Sequence, residues 1–127
     1  MKILIVGMGL IGGSVCKALK NKTQYEVYGC DVDESVLQQA LQDHAIDGTG
    51  KMEDGIYDVC IVCLHHRIAQ PCIKQALPFL KKGSILMDMC GFKGQMVLEC
   101  WHSNRFFLYL PWGVFRHNTA LPSGKRL

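Results

Sequence analysis

The sequence predicts an α/β fold, a parallel doubly wound sheet with helices on both faces in a single domain. Apolar runs alternate with segments of helical spacing through about position 100, and this alternation is typical of βαβ units. A glycine-rich turn follows the first apolar run directly, where such a unit places its strand-to-helix connection. At 127 residues the chain is long enough for one core and short for two domains.

The first predicted strand, residues 3–6, leads into the turn Gly7-Met8-Gly9-Leu10-Ile11-Gly12, and a helical pattern covers residues 14–20. In a strand–turn–helix unit of this kind, the first glycine makes the tight turn and the second lets phosphates approach the backbone. The third glycine lets the helix pack closely on the strand, so that its free N–H groups and positive dipole end face the phosphates. The motif therefore predicts that a dinucleotide pyrophosphate binds at Gly7, Gly9, Leu10, Ile11 and Gly12.

An acidic residue ends the second predicted strand, residues 25–30. Asp31 lies about 20 residues beyond the glycines, where a carboxylate accepts hydrogen bonds from the adenosine ribose hydroxyls. The next residues are Val32, Asp33 and Glu34, so the local charge disfavours the additional phosphate of NADP. The pattern predicts NAD as the cofactor, and the alternative is a generic α/β turn with an unrelated acid.

The remaining elements continue the alternation. They are a helix (33–45), a short strand or loop (46–50), the strong central strand (58–64), a helix (68–80), a strand (84–89) and the beginning of a helix (94–100). On the first of these helices, the apolar residues that share one face are Val36, Leu37, Ala40 and Leu41. Pro78 predicts an early end for the second, because proline removes a backbone N–H from the last turn.

Composition limits the classes of function. The formal net charge is +3, and the excess lies in residues 105–127, which contain no acid and hold Arg105, Arg116, Lys125 and Arg126. These charges are spread rather than clustered, so nucleic-acid binding is only a minor hypothesis. No apolar stretch approaches the length of a membrane span, and the first strand begins almost at once, so we expect neither a membrane segment nor a secretory signal. The expectation is a cytoplasmic protein.

Seven cysteines without a secretory signal indicate reduced thiols. Cys60 and Cys63 form a CxxC motif inside the central strand. Residues three apart on a strand point to opposite faces, so these two thiols are not expected to share a metal ion or a redox bond. No metal site is predicted.

Residues 1 to about 100 resemble the N-terminal NAD-binding domain of prephenate dehydrogenases, a family that includes arogenate dehydrogenases. The resemblance rests on residues 2–14, 27–31, 45–47, 58–64 and 86–94, and the Gly-Leu-Ile-Gly-Gly-Ser run within the first of these is more specific than the glycines alone. It implies a Rossmann-type sheet, NAD, and oxidative decarboxylation of prephenate to 4-hydroxyphenylpyruvate in tyrosine biosynthesis. It also implies a dimer formed through a helical C-terminal domain, which we expect to be absent here.

The chain departs from the family pattern at the residues that carry the chemistry. Gly91 stands where the family has a serine, and residues 105–115 lack the histidine of the family's catalytic motif. His102 and His117 flank that segment outside the motif, so no catalytic residue is assigned. We therefore predict an NAD-binding domain over residues 1–104 that is inactive by itself, with prephenate or arogenate as the substrate of the complete family enzyme. The alternative is a non-catalytic NAD-binding module or a regulatory fragment.

Residues 105–127 abandon the family pattern and form an atypical basic tail. Two explanations stay open: a change of reading frame or an early stop, and a domain with added or divergent residues. The downstream gene sequence distinguishes them, because only the first predicts a histidine-proline motif in a corrected frame.

The segment after the central strand is the last candidate part of the site. Leu64 and His65 lie where the carboxyl end of a strand meets the crevice of an open α/β sheet, so both are predicted to line the cofactor site. The His65 imidazole is a candidate partner for a ribose hydroxyl. The alternative is that His65 and His66 are loop residues that cap the next helix.

Overall fold

The apolar runs of the sequence become the strands of one parallel sheet. The computed structural model describes residues 1–89 and 106–109, and in these residues the sheet has six strands in the order β3-β2-β1-β4-β5-β6. Every neighbouring pair is parallel, which confirms the predicted parallel sheet. The strands are β1 (Lys2–Val6), β2 (Glu26–Cys30), β3 (Gly48–Thr49), β4 (Val59–Val62), β5 (Ile85–Asp88) and β6 (Phe106–Tyr109).

Helices cover both faces of the sheet, which makes it doubly wound as predicted. They are α1 (Leu10–Lys22), α2 (Glu34–Gln42) and α3 (His66–Ala76), with 3₁₀ turns at Met52–Asp54 and Leu77–Phe79. Alternate residues of β1 enter two separate cores: Leu4 and Val6 pack with residues of α3, whereas Ile3 and Ile5 pack with residues of α1 and α2. In the part of the chain that the structure describes, no helix is long and apolar enough to cross a membrane.

Two helix boundaries differ from the predicted ones for identifiable reasons. The helix predicted over residues 33–45 ends at Gln42, because His44 has a left-handed backbone with φ 55° that an α-helix cannot continue. The helix predicted over residues 68–80 begins at His66 and changes to a 3₁₀ turn near Pro78, which lacks the N–H of an α-helical bond. The helix predicted over residues 94–100 lies outside the described residues.

β6 lies within residues 105–127, which are predicted to be a basic tail because they abandon the family pattern and contain no acid. It pairs with β5 in parallel, from Ile85 opposite Phe106 to Asp88 opposite Tyr109. The sheet therefore includes residues beyond 104. The sequence analysis does not predict this strand, because it places the end of the domain where the family resemblance ends and not where the apolar residues end. The division into a domain of residues 1–104 and a basic tail stays a prediction.

Two carboxylates tie the amino-terminal ends of the strands together. Asp58 accepts hydrogen bonds from the backbone N–H of Lys2 at 2.8 Å and from Nζ of Lys81 at 2.6 Å. Asp47 accepts hydrogen bonds from the backbone N–H of Val27 at 2.8 Å and from Nζ of Lys20 at 2.7 Å. The lysine hydrogen bonds, followed by those from the backbone, lower the pKa of both carboxyl groups.

We expect Asp58→Asn to lower the free energy of unfolding by about 1 kcal/mol at neutral pH, because the ion pair with Lys81 is partly exposed and weaker than a buried one. The pKa of Asp58 in the folded chain lies below its ordinary value of 3.8, so its contribution is complete above that value. The contribution is lost as pH falls through the folded-state pKa. Urea titrations of both proteins at neutral and at acid pH check this, and equal unfolding midpoints at neutral pH would contradict it.

Candidate cofactor site

The candidate site lies where the chain changes its direction across the sheet. β1 is flanked by β2 on one side and by β4 on the other, so the strands that follow β1 and β3 extend the sheet in opposite directions. In open α/β sheets this arrangement leaves a crevice outside the carboxyl ends of the central strands. Gly7 follows β1 at this crevice, and Leu64 lies beside it after β4.

The three glycines of the turn differ in what surrounds them. Gly7 has φ 93°, and a Cβ atom there would lie 2.8 Å from the carbonyl oxygen of Cys63 and from Cδ2 of Leu64. A Cβ atom on Gly12 would overlap the carbonyl oxygen of Gly7, so α1 packs as closely on β1 as a glycine allows. Among the described residues, no heavy atom outside its chain neighbours and its own helix lies within 4 Å of the Cβ position of Gly9. Packing therefore requires two of the glycines, and the space above Gly9 is open to a ligand.

α1 presents an uncapped amino terminus to this open space. The helix begins at Leu10, earlier than the sequence predicts, with Gly9 as its N-cap. No side chain in the described part of the chain caps it, and no acidic residue lies in its first turn, while Lys20 and Lys22 lie in its last turn. Leu10 and Ile11 are exposed. The unsatisfied N–H groups and the positive end of the helix dipole therefore form a site for an anion such as a phosphate.

Asp31 holds the glycine turn in place. Its Oδ2 accepts a hydrogen bond from the backbone N–H of Met8 at 2.8 Å, and its Oδ1 accepts one from the N–H of Asp33 at 2.9 Å. A carboxylate oxygen can accept two hydrogen bonds, so both oxygens of Asp31 retain capacity for a ligand hydroxyl. The sequence predicts a contact between Asp31 and a ribose but contains no sign of the bond to Met8, because the two residues lie far apart in the chain.

A cavity of about 530 Å³ extends from the glycine turn past the end of β2. Its volume lies in the range of small-molecule sites. Three residues that the sequence predicts for the cofactor site line it together: Gly7, Asp31 and Leu64. Val32 and Ile68 also line it, and their exposed apolar side chains suit the faces of a flat aromatic base.

The 3₁₀ turn Met52–Asp54 supplies a wall of this cavity that the sequence does not predict. Lys51, Met52 and Glu53 line the cavity from this side, and Glu34 lines it from the first turn of α2. The one feature of the sequence that could have indicated this wall is that these residues follow β3. Because β3 pairs in parallel with β2, the carboxyl ends of both strands lie at the same edge of the sheet. A strand of only two residues is too short for its pattern to reveal that edge.

His65 caps α3. Its Nδ1 accepts a hydrogen bond from the backbone N–H of Arg67 at 3.3 Å, and the residue is exposed. The structure thus shows the capping role that the sequence left open as the alternative. Leu64 rather than His65 lines the cavity, and a contact between His65 and a cofactor stays a prediction.

The two cysteines of the CxxC motif lie on opposite faces of the sheet, as the strand alternation predicts. Cys60 belongs to the core beneath α3, whereas Cys63 packs against the core beneath α1 and α2. Burial raises the pKa of Cys60 to about 12 and that of Cys63 to about 11, which is typical of structural thiols. Within residues 1–89 and 106–109, no three histidine, cysteine or acidic side chains are grouped so that they could hold a metal ion.

Comparison with known families identifies the domain. A family model described as prephenate dehydrogenase, nucleotide-binding domain, matches residues 15–105. The chain belongs to this family. The resemblance inferred from the sequence is confirmed, and so is a nucleotide as the class of cofactor. The match begins after the glycine turn, so the role of that turn depends on the geometry described above. No curated protein sequence matches the chain.

Solved structures of two prephenate or arogenate dehydrogenases are similar to the chain. The arogenate dehydrogenase of Synechocystis has a TM-score of 0.77 and 21% identity, covering 91% of this chain and 42% of its own. The prephenate dehydrogenase of Aquifex aeolicus in complex with hydroxyphenyl propionate and NAD+ has a TM-score of 0.72 and 25% identity, covering 86% of this chain and 40% of its own. The 3-hydroxyisobutyrate dehydrogenase of Mycobacterium tuberculosis, at 13% identity and a TM-score of 0.69, shares the fold. The chain spans about two-fifths of the length of the two prephenate or arogenate dehydrogenases.

Proposed function

We propose that the chain binds NAD in the crevice at the carboxyl ends of β1, β2 and β4. One observation carries the proposal: the uncapped amino terminus of α1, open above Gly9, adjoins a cavity that Gly7 and Asp31 line. A site for an anion and a site for a ribose hydroxyl are thereby joined, as a dinucleotide requires. The NAD+ in the Aquifex aeolicus structure supports the choice of cofactor.

Each part of the dinucleotide has its own place in this proposal. The pyrophosphate binds backbone N–H groups in the segment from Gly9 to Gly12, and the adenosine ribose donates hydrogen bonds to Asp31. The adenine ring packs between Val32 and Ile68. The nicotinamide half extends past the end of β4, where Leu64 and His65 are the nearest candidates for contact.

We further propose that the chain is the cofactor-binding part of an NAD-dependent dehydrogenase that acts on prephenate or arogenate. In that reaction NAD accepts a hydride from the ring carbon bearing the hydroxyl, and carbon dioxide leaves as the ring becomes aromatic. Family membership supports this activity for a longer protein, because the chain spans about two-fifths of its solved relatives. No residue of the chain is assigned as the base, so the chain by itself binds cofactor without turnover.

Calorimetric titration of the chain with NAD and, separately, with NADP tests the cofactor proposal. We expect saturable binding of NAD and an affinity for NADP at least about tenfold lower, because the Asp31 carboxylate faces the position of the additional phosphate. A chain that binds neither dinucleotide would contradict the proposal. Tighter binding of NADP than of NAD would contradict the role of Asp31 in it.

An assay of NADH formation with prephenate and with arogenate tests the second proposal in the same sample. The 127 residues are expected to show cofactor binding without NADH formation. Decarboxylating turnover would contradict this and would point to His65, His66, His102 or His117 as the base. The alternative is a regulatory NAD-binding module without catalysis. In that case, no protein translated from the gene beyond residue 105, in any reading frame, should form NADH with either substrate.

A further inference from the structure

The end of the cavity beyond β2 carries an uneven set of charges. Among the described residues that line it, three are carboxylates and one is an ammonium group: Asp31, Glu34, Glu53 and Lys51. They come from separate parts of the chain, namely the end of β2, the first turn of α2 and the 3₁₀ turn after β3. The sequence reveals only Asp31, the acid of the glycine fingerprint, and Glu34, which follows it three residues later. Glu53 lies far from Asp31 in the sequence and lines the cavity only because of the way the chain folds.

The carboxylate of Glu53 acts on the interior of the cavity. Cys30 and Cys72 line the same cavity, and burial is the largest cause that raises the pKa of each thiol. The charge of Glu53 raises the pKa of both thiols further. Glu53 itself is exposed, so its side chain is accessible to a ligand. Its position among the lining residues and its effect on the pKa of both thiols each place the Glu53 side chain at this cavity.

We propose that Glu53 determines cofactor specificity, because together with Glu34 it repels the 2′-phosphate of NADP from the adenosine end of the cavity. The inference rests on the proposed binding of NAD and adds to it a residue outside the glycine fingerprint. Asp31 accepts hydrogen bonds from the N–H groups of Met8 and Asp33, which hold its carboxylate in the turn. Glu53 adds a separate negative charge to the lining of the same cavity. Lys51 opposes it and attracts the same phosphate.

Titration of four proteins with NAD and NADP tests this inference. They are the unaltered chain and the variants Glu53→Gln, Lys51→Gln and Glu26→Gln. We expect Glu53→Gln to raise the ratio of NADP affinity to NAD affinity about three- to tenfold, and Lys51→Gln to lower it. The rise should shrink with added salt, since the charges are exposed.

Glu26→Gln is the matched control, because it removes the same charge elsewhere. Glu26 begins β2 and Asp31 follows the end of that strand, so the two lie about 16 Å apart at the usual rise per residue. That distance exceeds the screening length at physiological salt, and the affinity ratio should stay unchanged. An equal rise in both glutamate variants would overturn the inference, because net charge alone would then explain it.

Two results separate this inference from the proposal beneath it. If the unaltered chain binds NAD and Glu53→Gln leaves the affinity ratio unchanged, the role of Glu53 is overturned while the cofactor site stands. If the unaltered chain binds no NAD, both fall. Thermal unfolding of each variant shows whether its fold is intact, and Glu34→Gln, expected to shift the ratio in the same direction as Glu53→Gln, provides a second variant.

Discussion

Gly12→Ala is expected to lower the free energy of unfolding by about 3 kcal/mol and to abolish saturable NAD binding. The added methyl group would overlap the carbonyl oxygen of Gly7, which is backbone and cannot rotate away, and would also meet Cγ2 of Ile5 at 3.4 Å. α1 would have to move off β1, and overpacking of this kind costs from one to a few kcal/mol. The movement would also displace the helix terminus at Gly9 from the crevice. Urea unfolding and calorimetry with NAD measure the two effects.

Gly13→Ala provides the control, because it adds the same methyl group to the next residue of α1. The nearest atom to its Cβ position is the carbonyl oxygen of Met8 at 4.0 Å, so there is room for the methyl group. An alanine in a helix interior is more favourable than glycine by about 0.5–1 kcal/mol, so this variant should be slightly more stable than the unaltered chain. Equal stability of the two variants would contradict the close packing of Gly12.

Asp31→Ala is expected to weaken NAD binding about 10- to 100-fold. The change removes the proposed acceptor for the ribose hydroxyls, and hydrogen bonds to a charged group contribute about 1.5–3 kcal/mol each. It also removes the acceptor of the Met8 N–H at 2.8 Å, so the glycine turn loses one of the bonds that hold it against the end of β2. The loss therefore affects both the ribose and the pyrophosphate. Calorimetric titration with NAD below the unfolding temperature measures it.

Asp33→Ala is the control that distinguishes a direct role of the Asp31 carboxylate in NAD binding from an effect on the stability of the surrounding turn. Oδ1 of Asp33 accepts a hydrogen bond from the N–H of Ser35 at 3.0 Å and caps α2, so its removal is expected to lower the stability of the chain. The backbone N–H of Asp33 still reaches Asp31, and NAD affinity should stay within about twofold. Unchanged affinity in Asp31→Ala would remove Asp31 from the site, and an equal loss in both variants would assign the effect to the turn.

The sequence predicted the parts of this protein that depend on neighbouring residues. The parallel sheet follows from short apolar runs that alternate with helical spacing, and the apolar face of α2 follows from the spacing of Val36, Leu37 and Ala40. The glycine turn is equally local, since strand, turn and helix occupy one continuous segment. Its first glycine has the positive φ of a tight turn, and its third has the close contact that the motif predicts. The end of α2 was misplaced because a left-handed residue, His44, carries no reliable sign in the sequence.

Only the tertiary structure decided which distant residues meet at the crevice. The bond from Met8 to Asp31, the wall formed by Lys51 and Glu53, and the pairing of β6 with β5 all join segments that the chain separates. These contacts depend on the order of strands across the sheet, and a strand as short as Gly48–Thr49 contributes almost no pattern from which that order could be read. The sequence by itself therefore determined the class of fold and the motif that we propose binds a phosphate. The lining of the cavity depends on which strands lie side by side, and that pairing is a property of the whole sheet. The charges that line the cavity were therefore decided only by the tertiary structure.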